Sequence, residues 1–578
     1  MGRVNARDAG RSRLVEPQTF VQAVLLGLLV GGLGLINLGL WVSHSVQGVP
    51  GDLSKNPFIN VAGLFRGAVS WTWVSTAAVV AVVVVVVSVV IVLRRVFPRR
   101  EKTSIDRARK NLGGERDIQS LSRAAAEAKA VKWLPAGCAK THPGLRLGKV
   151  PGTKVGLYST WEDLYLVIFG PRMGKTTSQV IPAIVDAPGV VVTTSNKRDI
   201  VDDTRKITEA RGEVYVFDPQ RIAAGSSQVE WFYDPLDSIR HDLTMMDSAA
   251  IALADIFKTA ALGDTSKGDT YFSEGGRDLL ARMFMAAALD NRPITDVYVW
   301  LSDQSDKTPL SILVNDGQWP LVAEGLRATY AITERTRSGI FGQALQMAAP
   351  LGRREAARWV TPQPQARRFD PHAFVRSDAD TLYVLSKEGA DNAAALTTAL
   401  TAAVLTAAER YGEECGGRLP VPLVAALDEA ANVVKWPELP RLYSHYGSRS
   451  IILMTILQSY AQGVGVWGED GMESLWSASS ILLYGGGVRD EKMLTKLESL
   501  IGDYEEWSQS VSYSDGKRSV SKSKQERKIL TVSELASLGD NRAVVFATKR
   551  RPIVAELEPF WVRTYWPANI RQALPQER

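Results

Sequence analysis

The 578-residue chain predicts an α/β fold built on a parallel sheet, with an all-helical insertion and two transmembrane helices ahead of it. Three observations lead there. Apolar strand-like runs alternate with helical segments on both sides of a long stretch that carries few strand signals. One of those runs enters a glycine-rich turn, and another, far downstream, ends on two acids. Two long uncharged stretches occupy the N-terminal region.

Residues 17–51 contain no Asp, Glu, Lys or Arg, and neither do residues 67–93, which include the run from Val82 to Val87. Each exceeds the roughly 20 apolar residues that a helix needs to cross hydrocarbon. Arg3, Arg7, Arg11 and Arg13 precede the first stretch, and Arg94, Arg95, Arg99, Arg100 and Lys102 follow the second. The loop between carries only Asp52, Lys55 and Arg66. Positive flanks stay on the cytoplasmic side, so residues 1–100 are expected to form a two-span anchor with both ends inside. Gly27 and Gly31 give the first span a G-x-x-x-G spacing that would let two helix backbones approach.

The charged, alanine-rich run from Glu101 to Lys132 reads as part of a tether over residues 101–150. Strands expected at 154–159 and 164–169 deliver the turn Gly170-Pro171-Arg172-Met173-Gly174-Lys175-Thr176, and a helix is expected at 176–185. In that context consecutive backbone N–H groups point at phosphate oxygens, Lys175 adds a mobile positive charge, and the Thr176 hydroxyl can ligate magnesium. The cradle is read as Gly170 through Lys175 with Thr176 and Thr177. Its spacing is unusual. Four residues normally separate the two glycines, and here only Pro171, Arg172 and Met173 do, so Phe169 stands where the first glycine is expected and the turn must close differently.

Strands at 189–194 and 213–218 complete the first part of a nucleotide-binding domain over residues 151–240. Helical segments at 247–262, 271–290, 294–301, 321–328 and 333–350 then make up an inserted all-α domain at 241–375. Alternation resumes over 376–565, with strands at 381–385, 423–427, 451–457, 481–484 and 543–547, a helix at 392–411, and a tail at 566–578. No fixed-period repeat is visible, which argues against a solenoid.

The strand at 423–427 runs into Asp428 and Glu429. An Asp in that position holds magnesium together with the threonine of the turn, and a neighbouring Glu orients or deprotonates the attacking water. Either motif alone has a plain reading, as a common glycine turn or as a buried strand ending in solvated acids. Together they favour ATP hydrolysis with Mg2+ as the only metal. Cys138 and Cys415 support neither a disulfide framework nor a zinc site, and the five histidines show no ligand spacing. A formal charge of +6 and a pI near 9.0 mildly favour polyanions such as DNA or anionic lipid. Lys517, Arg518, Lys522, Lys524, Arg527 and Lys528 fall in a serine-rich stretch that reads as a loop, either gripping phosphates or simply solvated.

The order of further short motifs resembles one family, the type IV coupling proteins of the TraG/TraD group. These motifs are Gly170 to Thr176, S-N-K-R-D at 195–199, V-F-D-P at 216–219, Y-F-S-E at 271–274, E-R-T-R at 334–337, T-L-Y-V-L at 381–385, L-D-E-A-A-N at 427–432 and L-Q-S at 457–459. The resemblance covers nearly the whole chain. It implies a RecA-like P-loop domain in a homo-hexameric ring at the bacterial inner membrane. That ring would pass a relaxase-bound, single DNA strand, read without sequence preference, or a protein, to a type IV secretion channel. It further implies that Lys175 holds the β- and γ-phosphates of ATP, that Thr176 and Asp428 hold magnesium, that Glu429 activates water, and that Gln458 senses the γ-phosphate. An arginine acting across the subunit boundary is expected, and Arg449 is the candidate. A septal-type DNA translocase and a substrate receptor that uses nucleotide only to assemble remain the alternatives.

Overall fold

The computed structural model describes residues 17–48, 53–96, 104–223, 229–263, 270–389, 393–514 and 517–575. Two compact units result, residues 1–101 and 102–578.

In the first unit, helices Pro17–Gln47 and Trp73–Val96 flank a short helix at Pro57–Phe65. Both expected spans thus fall on helices, although part of each lies outside the residues whose side chains are described. Among the described residues no helix is long and apolar enough to cross a membrane. The two long helices meet closely at Gly39, where an added Cβ would come within 3.0 Å of both Ser75 O and Val79 Cγ2. Gly31 has open space around it, and the Gly27 side of the G-x-x-x-G pair lies outside the described side chains. Polar bonds pin the connection, with Ser43 and Thr72 hydroxyls 2.6 Å apart and Asn60 donating to Asn37 Oδ1 at 2.8 Å.

The second unit is organised by an eleven-stranded sheet. Its strands, with two separate pairs outside it, run in chain order as β1 (Arg146–Lys149), β2 (Gly156–Tyr158), β3 (Tyr165–Ile168), β4 (Val191–Ser195), β5 (Val214–Phe217), β6 (Trp231–Phe232), β7 (Arg367–Arg368), β8 (Thr381–Leu385), β9 (Leu423–Leu427), β10 (Ile451–Leu457), β11 (Ile481–Tyr484), β12 (Asp503–Ser514), β13 (Lys517–Lys528), β14 (Arg542–Ala547) and β15 (Ile553–Glu556). The sheet order is β2-β1-β15-β14-β11-β3-β10-β9-β4-β8-β5. From β11 to β5 every pairing is parallel, and from β14 outward every pairing is antiparallel.

Strands β3, β4, β8, β9, β10 and β11 are buried at every position, as parallel strands covered on both faces must be. Their continuous Val, Ile and Leu runs account for this. One face packs against the buried helix Ala394–Glu414, and core residues of helices Met246–Leu262 and Thr270–Leu289 join the same apolar cluster. The opposite face packs against Val180, Ala183 and Ile184, which follow the glycine turn. Between β5 and β8 the described elements are nearly all helical, from Asp237–Arg240 through Arg354–Val360 to Pro371–Val375, interrupted only by the two-residue pair β6–β7.

Two expectations are corrected here. The basic, serine-rich stretch is not a loop but a hairpin, with β12 and β13 antiparallel from Asp503↔Lys528 to Ser514↔Lys517. Opposite charges pair between the strands, Lys528 with the directly facing Asp503 at 3.1 Å, and diagonally Lys524 with Glu505 at 2.7 Å and Arg527 with Glu506 at 2.9 Å. The segment after the glycine turn is not α-helical from its start: residues Thr176–Val180 form a π-helical turn that becomes α-helix only at Ile181–Asp186.

Candidate nucleotide site

The parallel part of the sheet brings the sequence motifs to one edge. The glycine turn leaves the end of β3, Asp428 and Glu429 leave β9, and Gln458 leaves β10. Because β10 lies between β3 and β9, with Leu457 beside Ile168 and Thr455 beside Leu427, the three carboxyl ends are adjacent. This is where ligands of open parallel sheets bind.

Lys175 reaches the acids directly. Its Nζ is 3.3 Å from Asp428 Oδ1 and is ion-paired with Glu429 Oε1. Thr176 donates its hydroxyl to Asp428 Oδ2 at 3.2 Å. Gln458 donates through Nε2 to Glu429 Oε1 at 2.7 Å, and Asn432 Nδ2 lies 3.4 Å from Glu429 Oε2. The Thr194 hydroxyl at the end of β4 donates to the Asp428 carbonyl at 2.6 Å, fixing the backbone that carries the carboxylate. Glu429 itself takes a left-handed conformation, φ 53°, which turns the chain sharply off β9 into the helix Ala430–Val433.

Burial dominates the electrostatics, since the Asp428 side chain is 4% exposed. Burial pushes its carboxyl up to about 6, against the pull of Lys175 and with the help of the neighbouring Glu429 charge. For Lys175 burial works downward, but Asp428 and Glu429 outweigh it and the ammonium is held above its ordinary value. The site therefore keeps its lysine charged and one of its acids near the point of titration.

The shortened turn closes against a second glycine segment that sequence reasoning missed. A Cβ on Gly170 would lie 2.1 Å from Gly487 O, and Gly170 N–H donates to Gly486 O at 2.9 Å. Met173 packs its side chain on the same segment, its Cγ 2.7 Å from where a Gly487 Cβ would stand. Arg172 and Gly174 have positive φ, 63° and 77°, and Gly486 and Gly487 have 81° and 74°. The signal was present in the sequence as Gly485-Gly486-Gly487 directly after the apolar run of β11. Pro171 and Arg172 are exposed, and the Thr177 hydroxyl is taken by Gly174 O at 3.2 Å.

Arg449 is not brought to this site. It sits at the start of β10, at the opposite edge of the sheet, bonded to Glu413 at 2.6 Å and 3.2 Å from Glu409.

The residues fit a magnesium nucleotide. A glycine turn with no room for a side chain at Gly170, one ammonium, one hydroxyl and two carboxylates match the phosphate and ion chemistry required. Among the described residues no group of His, Cys, Asp or Glu could hold a metal alone. A magnesium ion at Thr176 and Asp428 would thus need phosphate oxygens and water for its remaining positions.

Fold and site together define a P-loop NTPase of the parallel-sheet type. Residues 422–540, which carry β9, both acids, β10, Gln458 and the hairpin, match the family model described as the TraM recognition site of TraD and TraG. Through this segment the chain resembles the type IV coupling proteins of the TraG/TraD family. In shape it is similar to the bacterial conjugative coupling protein TrwBdeltaN70, trigonal form in complex with sulphate, with a TM-score of 0.52 at 16% identity over 71% of this chain and 89% of that one. The plasmid coupling protein TrwB in complex with ADP and Mg2+ gives 0.49 at 16% identity over 69% and 85%. VirB4 of Thermoanaerobacter pseudethanolicus gives 0.41 at 15% identity over 72% and 96%. No curated protein matches the chain.

Proposed function

We propose that the protein is a membrane-anchored ATPase that couples a relaxase-bound DNA strand, or a protein substrate, to a type IV secretion channel and drives or gates its transfer. One observation carries this reading: Lys175, Thr176, Asp428, Glu429 and Gln458 converge at the carboxyl edge of a parallel sheet, within a chain whose segment 422–540 belongs to coupling proteins.

Nucleotide binding draws Lys175 off the two acids and onto the β- and γ-phosphates, since a phosphate cluster carries more negative charge than the carboxylate pair. Thr176 and Asp428 would hold magnesium, which would supply positive charge against the phosphate oxygens. Release of Lys175 leaves Glu429 free to take a proton from the attacking water. Gln458, already bonded to Glu429, is placed to report whether a γ-phosphate is present. A ring of six copies supplies the trans-acting arginine. Arg449 would have to leave both Glu409 and Glu413 to serve.

Support for the anchor comes from the uncharged residues 17–51 and 67–93 and from the exposed valines at 80, 83 to 87 and 89 on the second helix. The placement is the bacterial inner membrane with both ends cytoplasmic. DNA contact is electrostatic and indifferent to sequence, and the basic hairpin is one surface for it.

The test is DNA-stimulated ATP hydrolysis by the full chain in reconstituted membranes, with and without purified relaxase. Turnover that DNA raises, and that Lys175→Ala and Glu429→Gln both abolish, is the expected result. Normal DNA transfer by either variant would refute the motor.

A further inference from the structure

We propose that Arg563 is a positioning residue for the nucleotide turn, holding from the C-terminal strap the π-helical turn that presents Thr176. The inference rests on the reading of Lys175 and Thr176 as the Mg·ATP cradle.

Arg563 has a fully buried side chain, 0% exposed. A guanidinium is placed there only with its donors engaged. Nη2 donates to Ser178 O at 2.7 Å, Nε to Glu558 O at 3.0 Å and Nη1 to the Tyr565 hydroxyl at 2.7 Å, while Asp186 Oδ2 lies 3.7 Å away. Asp186 in turn accepts from Trp566 Nε1 at 2.6 Å and from the Tyr565 hydroxyl at 3.2 Å. The strap therefore grips the segment at two points, inside the π-helical turn and at the end of helix Ile181–Asp186. Phe560, Trp566 and Leu574 pack on Ile181, Val185 and Ile207 beneath these bonds.

Ser178 is a specific target. In the π-helical turn the Ile181 N–H reaches back five residues to Thr176 O. The donor an α-helix would offer Ser178 O is the N–H of the residue four positions on, and that residue is Pro182, which has none. Arg563 supplies a charged donor in its place. Ser178 is also tied to the cradle, since its N–H and its hydroxyl both donate to Gly174 O, at 2.9 and 2.7 Å. A chain of bonds thus runs from Arg563 through Ser178 to Gly174, immediately before Lys175 and Thr176. π-Helical turns of this kind concentrate at functional sites. Here the distortion sets where the magnesium-ligating hydroxyl points.

The experiment measures, on the full chain, Mg2+-dependent binding of a fluorescent ATP analogue together with the thermal midpoint, for wild type, Arg563→Met, Arg563→Lys and Arg563→Met with Pro182→Ala. Arg563→Met is expected to weaken Mg2+-dependent binding by about 10-fold to 100-fold, the usual effect of losing support behind a metal ligand. Arg563→Lys keeps the charge but cannot reach Ser178 and Asp186 together, so it shows the same direction of change even where the methionine variant folds poorly. Adding Pro182→Ala returns an N–H to Ser178 O in α-helical register. Thermal stability then recovers in part and Mg2+-dependent affinity does not. Wild-type affinity in folded Arg563→Met and Arg563→Lys, or full recovery of affinity with Pro182→Ala, would overturn the positioning role while leaving the nucleotide site standing. Failure of the wild-type protein itself to bind Mg·ATP would overturn the nucleotide reading, and this inference with it.

Discussion

Thr176 donates its hydroxyl to Asp428 Oδ2 at 3.2 Å across 252 positions of chain. The residues between them include the whole helical insertion, yet the two side chains meet because β3 and β9 lie on either side of β10 in one parallel sheet.

In the proposed mechanism Lys175 and Glu429 do separable jobs. Lys175→Ala removes the phosphate-binding ammonium and leaves two buried carboxylates facing each other, so nucleotide affinity is expected to fall by roughly 100-fold, a size typical of removing one transition-state or phosphate donor. Glu429→Gln keeps shape and binding but removes the base, which lowers turnover by about 10²-fold to 10⁴-fold. Equilibrium binding and single-turnover hydrolysis, measured side by side, separate the two.

Asp428 gives the site a pH dependence. Its carboxyl is held up to about 6, so acidification through that value protonates the group and removes the ligand it would offer magnesium in the proposed site. Mg·ATP affinity is expected to decline by about tenfold per unit below that point, as one proton competes with the ion. A flat affinity profile from about pH 5 to about pH 8 would remove Asp428 from the metal site. The stability effect runs in the opposite sense. Because the folded value is raised above the ordinary 3.8, this carboxyl favours the folded state fully only below the lower value, and the contribution is lost as pH rises through about 6. Asp428→Asn should therefore raise the thermal midpoint near neutral pH, with the gain shrinking toward about pH 4.

Gly170→Ala tests the unusual closure of the turn. The new methyl would stand 2.1 Å from Gly487 O, which is backbone and cannot rotate away. A loss of about 1 to 3 kcal/mol in stability is expected from such overpacking, with a larger loss of nucleotide binding as the turn is pushed off the triglycine segment. Gly174 has room beside it, its nearest neighbour being Thr177 Oγ1 at 3.6 Å, so Gly174→Ala should act through its φ of 77° alone.

The anchor makes its own prediction. A chain beginning at Lys102 should be mainly monomeric by light scattering, if the proposed membrane anchor brings the copies together. A stable ring from that shortened chain would place the assembly contacts in the second unit instead.

Much of the central sheet was legible because buried parallel strands leave unbroken apolar runs. The strands expected at 381–385, 423–427, 451–457 and 481–484 coincide residue for residue with β8, β9, β10 and β11. The antiparallel edge was not legible. β1 and β15 are four residues long, and β1 carries Gly148 and the charged Arg146 and Lys149, which pair with Glu558 and Glu556 from the distant C-terminal part. The hairpin was missed for the same reason: β12 and β13 pair through serines and opposite charges, which in sequence have the composition of a loop. At the site, Lys175, Thr176, Asp428 and Glu429 could be read from strand ends, since chemistry at a parallel sheet gathers at one edge, whereas Gln458 was picked out only by the family resemblance. The triglycine run around Gly487 was visible but its place against Gly170 was not, and Arg563 gave no signal, because a carbonyl approach and a buried donor are brought near only by the fold.

The most direct measurement is a structure of the Glu429→Gln protein with Mg·ATP. The account predicts Lys175 Nζ within hydrogen-bond distance of the β- and γ-phosphates, and a magnesium ion about 2.1 Å from the Thr176 hydroxyl, with Asp428 beside it and Gln458 facing the γ-phosphate. Nucleotide bound away from the turn, or Lys175 still paired to Asp428 with triphosphate present, would contradict it.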